Sequence, residues 1–228
     1  MTPHPAVRAG TPGAWGLTSA VPTEAGAADA ASGAVLGQVA AALGRLWDEP
    51  VGPLALARRC PGCAGTDHGA PRLRGLPAGR RALVSFSRVT DPRTGVRLRV
   101  GAWWVPGGDG DGAEDAAGPD DGPAAAPGLG LDVERVDAPA FADRDALGEV
   151  GFSTAERAWV AALPRSERPA ARARLWTRKE ALVKAAGTGF TGDPADVAAL
   201  HPPPGVVLLD VAAGLPDGIV GSVALRRA

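Results

Sequence analysis

The chain has 228 residues, 45% of them hydrophobic, enough to bury a core in one large domain or in two lobes of about 100 residues each. Its formal net charge is −1, but residues 106–128 hold six acids (Asp109, Asp111, Glu114, Asp115, Asp120, Asp121) and no base, which leaves +5 for the remainder; that mild cationic balance suits anionic small molecules or an acidic protein partner and lacks the Lys/Arg stripe of a nucleic-acid binder. Two cysteines argue against a disulfide framework, and with no basic start leading into an apolar run over residues 1–56 and no membrane-length apolar stretch, the expectation is a soluble, cytoplasmic protein without a membrane span.

In chain order, residues 1–31 are rich in Ala, Gly, Pro and Thr without periodicity and are expected to form a loose segment. Val35, Leu36, Val39, Leu43 and Trp47 recur at helical spacing and open a first lobe over 32–105. Arg81–Ser87 and Val96–Val105 read as two strands joined by a turn at Asp91–Gly95, a hairpin that closes this lobe. The acidic stretch 106–128 has neither helical nor strand pattern and is expected to be a flexible linker.

A second lobe follows over 129–228. Leu129–Arg135 is a predicted strand, since Leu131 and Val133 alternate with Asp132 and Glu134. Ser153 with Glu156 has the spacing of a capping box for a helix to Leu163. A second helix starts near Ser166, takes Pro169 in its first turn and ends at Gly187. Val206–Val211 and Ile219–Leu225 supply two more strands. Helices and antiparallel strands without βαβ alternation make the fold class α+β.

On a strand, Asp132 and Glu134 share a face about 6.6 Å apart, opposite Leu131 and Val133, and repel unless a cation lies between them. Alone, such a pair is a solvated strand face. Glu180 and Lys184 neighbour each other on one helix face, beside Trp176, with Leu175, Leu182 and Ala186 as the buried stripe; alone, they are a surface ion pair. Lys179 and Lys184 are the only lysines of the chain; Lys179 points elsewhere on the helix and is expected to be solvated or to face a partner. Glu156 reads equally as a cap or a site residue, and Gly187 and Gly189 as helix terminators.

Three segments, GLDVER at Gly130–Arg135, FSTAE at Phe152–Glu156 and WTRKEALVKAAGTGF at Trp176–Phe190, resemble in order and spacing the motifs of the 4′-phosphopantetheinyl transferase superfamily, in its surfactin-synthetase-activating type. The resemblance implies a monomer of two similar lobes related by a pseudo-twofold axis, each a small antiparallel sheet packed with helices. It also implies transfer of the phosphopantetheine arm of coenzyme A to a serine of an acyl or peptidyl carrier protein, as in holo-[acyl-carrier-protein] synthesis. Mg²⁺ would be held by Asp132, Glu134 and Glu180, with Glu180 also as base and Lys184 on a coenzyme A phosphate. Such roles suit Mg²⁺, which takes oxygen ligands and completes its shell with phosphate and water.

The first lobe resembles the family less closely. Cys60–Cys63 followed by HGAP at His68–Pro71 is similar to the CPxC…HGxP segment of actinobacterial-type members, and VSFSR at Val84–Arg88 to their VSxSH strand. The resemblance thereby implies that Gly69, Pro71, Ser87 and Arg88 meet coenzyme A. Three departures stand out: Ala70 replaces a basic residue, Arg88 replaces a histidine, and no basic residue matches near Gly33. Arg88 offers phosphate a fork of donors, and Arg58, Arg59 or Arg72 are candidates to offset the other two. These departures motivate an alternative, a weakened or inactive homologue that binds carrier protein or nucleotide; a metal-dependent phosphohydrolase is a third reading. Cys60, Cys63 and His68 have zinc-like spacing, but His4 and His201 are remote in sequence and no fourth ligand completes a structural site, so a reduced, ligand-free turn is expected.

Overall fold

The computed structural model describes residues 13–20, 28–59, 63–66, 69–91, 94–106, 126–142, 150–211 and 213–227. The first half contains β1 (Gly13–Ala20), α1 (Ala28–Trp47), β2 (Ala55–Arg58), β3 (Pro71–Arg74), β4 (Leu83–Thr90) and β5 (Arg97–Pro106). The second contains β6 (Gly128–Arg135), α2 (Thr154–Ala161), α3 (Arg168–Ala186), β7 (Val206–Val211) and β8 (Ile219–Arg226). Two antiparallel sheets result, ordered β1-β5-β4-β3-β2 and β6-β8-β7. The α+β class and the β4–β5 hairpin agree with expectation, the hairpin turn being held by Asp91 N–H donating to the Val96 carbonyl at 2.8 Å.

The loose segment expected over 1–31 is corrected in part, because β1 lies within it and pairs with β5 along all eight of its residues. Sequence periodicity missed this strand because both its faces are covered. Trp15 and Leu17 face the core, while Gly16 turns to the other side, where a Cβ would meet the Trp103 indole at 2.8 Å. The greater part of the linker expected at 106–128, and Cys60 and His68 of the zinc-like turn, lie outside the described residues.

The layers run helix, sheet, sheet, helix. Val39 and Leu43 of α1 pack on Val84 and Trp103 of the five-stranded sheet. The opposite face of that sheet, with Trp15, Val100, Ala102 and Trp104, meets Leu129, Leu131, Val133, Val223 and Leu225 of the three-stranded sheet in one core. Burying each of those large aliphatic side chains contributes about 1.5–3 kcal/mol. On the far side, Ala181, Leu182 and Ala185 of α3 cover Ala224 and Leu208. β6 is therefore buried on both faces, and the solvated face that an isolated Asp132–Glu134 pair suggests does not exist for Asp132.

Glycine sets how closely α3 lies on β6. A Cβ on Gly130 would overlap the Ala181 carbonyl, and one on Gly128 the Ala185 carbonyl, so helix backbone rests directly on strand backbone. That approach carries Lys184 to the level of Asp132. Gly130→Ala should lower stability by about 2–3 kcal/mol through overpacking, read from chemical denaturation. A variant with wild-type stability would show that the helix–strand contact is slack.

The capping box of α2 is present: Ser153 Oγ accepts from Glu156 N–H at 3.3 Å and Glu156 Oε2 from Ser153 N–H at 2.8 Å. Gly187 ends α3 in the left-handed conformation at φ 75°. The expectation for Lys179 is overturned, since it is fully buried. Its Nζ lies 2.8 Å from Glu156 Oε2 and donates to the carbonyls of Pro194 at 2.9 Å and Val197 at 2.6 Å, while Glu156 Oε1 accepts from Ala199 N–H at 3.1 Å. Glu156 is thus a cap and a buried ion-pair partner. The loop over 193–199 closes onto this side of α3, which helical periodicity alone treats as open to solvent.

Candidate functional site

The alternation of β6 and the turn spacing of α3 bring four of the expected side chains together. Asp132 is buried, and its Oδ1 accepts from Lys184 Nζ and from Ser87 Oγ, both at 2.8 Å. Lys184 Nζ also donates to the Leu131 carbonyl at 3.1 Å and lies 3.8 Å from Glu180 Oε2. The Glu180–Lys184 pair is thus more than a surface ion pair: the ammonium spans two elements. Asp132 Oδ2 is buried and has no hydrogen-bond partner among the described residues.

The charges are crowded. Burial pushes Glu134 up to about 7, with Asp132 and Glu180 adding repulsion and Lys184 opposing it. Burial likewise raises Asp132 and Glu180 above the ordinary carboxylate range against the attraction of Lys184. A single ammonium does not balance three acids.

A divalent cation fits this donor set. Asp132 Oδ2 is a buried oxygen with no proton to accept, and the three carboxylates repel one another. Among the described residues no group of three or more His, Cys, Asp or Glu side chains is placed to hold a metal ion by itself. An open set still suits Mg²⁺, which binds through one or two carboxylates and fills its remaining positions with water and phosphate oxygens. A closed cage would leave no room for that phosphate.

Ser85 and Ser87 join this group from the other sheet. β6 is an edge strand, and its outward N–H groups at Leu131 and Val133 donate to Ser85 Oγ at 2.9 Å and Ser87 Oγ at 3.3 Å. Arg88, next along β4, points to the α1 side, where it stands across from Arg99 in the register. Gly69 and Pro71 lie at the head of β3, the Gly69 carbonyl accepting from Arg58 Nη1 at 2.8 Å. The structure thus gathers Asp132, Glu134, Glu180, Lys184 and Ser87, and leaves Arg88, Gly69 and Pro71 outside that cluster. Sequence reasoning passed over Ser85 and the strand glycines; the i, i+2 repeat of Gly128 and Gly130 on one strand face was the available signal for the latter.

One buried and two partly exposed carboxylates, one ammonium and an orphaned oxygen thus lie together at the seam of the two sheets. Residues 128–214 match the family model of the 4′-phosphopantetheinyl transferase superfamily, so this part of the chain is similar to that superfamily. The matched span contains Asp132, Glu134, Glu180 and Lys184. No curated protein and no solved structure matches the chain. Among the described residues, no helix is long and apolar enough to cross a membrane.

Proposed function

We propose that the protein is a 4′-phosphopantetheinyl transferase of the surfactin-synthetase-activating, holo-[acyl-carrier-protein] synthase type, acting with Mg²⁺ on coenzyme A and a carrier-protein serine. The observation that carries this reading is the clustering of Asp132, Glu134, Glu180 and Lys184, with Asp132 Oδ2 left without a hydrogen-bond partner, within the span that matches the superfamily. Each half places a helix outside an antiparallel sheet, the arrangement on which a pseudo-twofold, two-lobed molecule is built.

Asp132, Glu134 and Glu180 would hold the ion, which when bound neutralises charge on the pyrophosphate oxygens. Glu180 accepts the proton of the carrier serine as its oxygen bonds to the phosphorus bearing the pantetheine arm. The bond from that phosphorus to the bridging oxygen breaks, and adenosine 3′,5′-bisphosphate leaves. Lys184, at the border of the cluster and about one-third exposed, can turn its ammonium from Asp132 toward the leaving phosphate.

The test follows the intact mass of an apo peptidyl carrier protein mixed with this protein, coenzyme A and Mg²⁺. A gain of one phosphopantetheine per carrier supports the transferase. No gain across several carriers, with the protein folded, favours a second reading: a homologue that binds carrier or nucleotide without transfer. Arg88 lying on the far side of β4 from the carboxylates is the observation on that side.

Repulsion among the acids also sets a pH dependence. Glu134 is held above its unfolded value, so between about pH 4.5 and 7 the folded state binds more protons than the unfolded. Metal-free protein should therefore lose stability as pH rises through that window and stay at the lower level above it. With solvent screening of this partly exposed group, the loss is about 1–2 kcal/mol. Chemical denaturation in chelator from pH 5 to 8 reads it against Glu134→Gln, whose profile should be flatter. Parallel profiles would remove Glu134 from the crowded set.

A further inference from the structure

Resting on the proposed function, we propose that Ser87 is a positioning residue for the cation site, acting through Asp132, and not a coenzyme A contact. A serine hydroxyl has one proton and two acceptor positions. The Ser87 proton goes to Asp132 Oδ1 at 2.8 Å, and one acceptor position takes Val133 N–H at 3.3 Å. A phosphate oxygen needs that same proton, so Ser87 cannot donate to phosphate while it holds Asp132.

The arrangement divides the labour of the carboxylate. Oδ1 is anchored from β4 and from α3, while Oδ2 is buried, unpartnered and available to a cation. The two anchors differ in permanence. Lys184 is about one-third exposed, on a long chain, and is the group that the proposed chemistry draws toward phosphate. Ser87 is short and pinned between two strands, so it still holds Oδ1 from β4 when Lys184 leaves. The five-stranded sheet, which contributes no carboxylate to the site, thereby sets the orientation of a metal ligand on the other sheet. Such outer partners typically change metal affinity by about 10–100-fold.

The experiment measures Mg²⁺ affinity calorimetrically without coenzyme A, and coenzyme A affinity in chelator, for wild type, Ser87→Ala and Ser87→Thr, well below the melting temperature of each. Ser87→Ala should bind Mg²⁺ at least about 10-fold more weakly with coenzyme A affinity unchanged, and Ser87→Thr should stay close to wild type on both. A merely structural serine would lower the melting temperature and leave the Mg²⁺ affinity of folded protein alone. Unchanged Mg²⁺ affinity in Ser87→Ala, or a loss confined to coenzyme A, overturns the assignment while leaving the transferase reading intact. A wild-type protein that binds no Mg²⁺ overturns both.

Discussion

Glu180→Gln is expected to fold as the wild type does and to lose carrier modification by about 10³-fold or more, the scale of a removed general base. The substitution keeps the shape of a side chain that is 27% exposed and removes only its charge and its capacity to take a proton. Burial, helped by repulsion from Asp132, outweighs the attraction of Lys184 in disfavouring the charged form of Glu180, so neutralising it leaves stability unchanged or slightly raised. Lys184 then loses one of its two carboxylate neighbours and keeps Asp132 and the Leu131 carbonyl. Mass analysis of the carrier, with thermal melts in parallel, gives the result. Near-normal turnover in a folded Glu180→Gln protein would remove Glu180 as base and leave only the ligand role.

What the sequence made legible was local. The β4–β5 hairpin, β6, the Ser153–Glu156 box and the Gly187 stop each rest on spacing within one element, and each is where its pattern puts it. β2 and β3 have four residues each, too few for alternation to register. The same rule separates the site residues. Asp132 with Glu134, and Glu180 with Lys184, are neighbours by the period of a strand and of a helix. Ser87 and Asp132 are 45 positions apart on different sheets, and nothing in either segment announces that β4 lies along the open edge of β6. The resemblance pairs Arg88 with Ser87, yet strand alternation sends adjacent side chains to opposite faces.

Lys179 is the sharpest case of that limit, and its removal should be the most damaging change to stability. Lys179→Ala is expected to cost about 3–5 kcal/mol, because it strands the Glu156 carboxylate in the interior and takes the donor from two carbonyls. The ion pair ties three pieces together: the cap of α2, the middle of α3, and the loop carrying Pro194, Val197 and Ala199. Its place in the chain gives it a second consequence. Lys179 precedes Glu180, so the contact that fixes the rotation of α3 also aims the adjacent carboxylate toward Asp132. Glu156→Gln with Lys179→Met should be less destabilised than the sum of the two single changes, with a coupling of about 1–3 kcal/mol, since the double change removes the stranded charge. Denaturant unfolding of the four proteins measures the cycle. Additive losses, or a Lys179→Ala cost below about 1 kcal/mol, would mean that the ammonium reaches water in solution and that α3 is oriented by its glycine contacts with β6 alone.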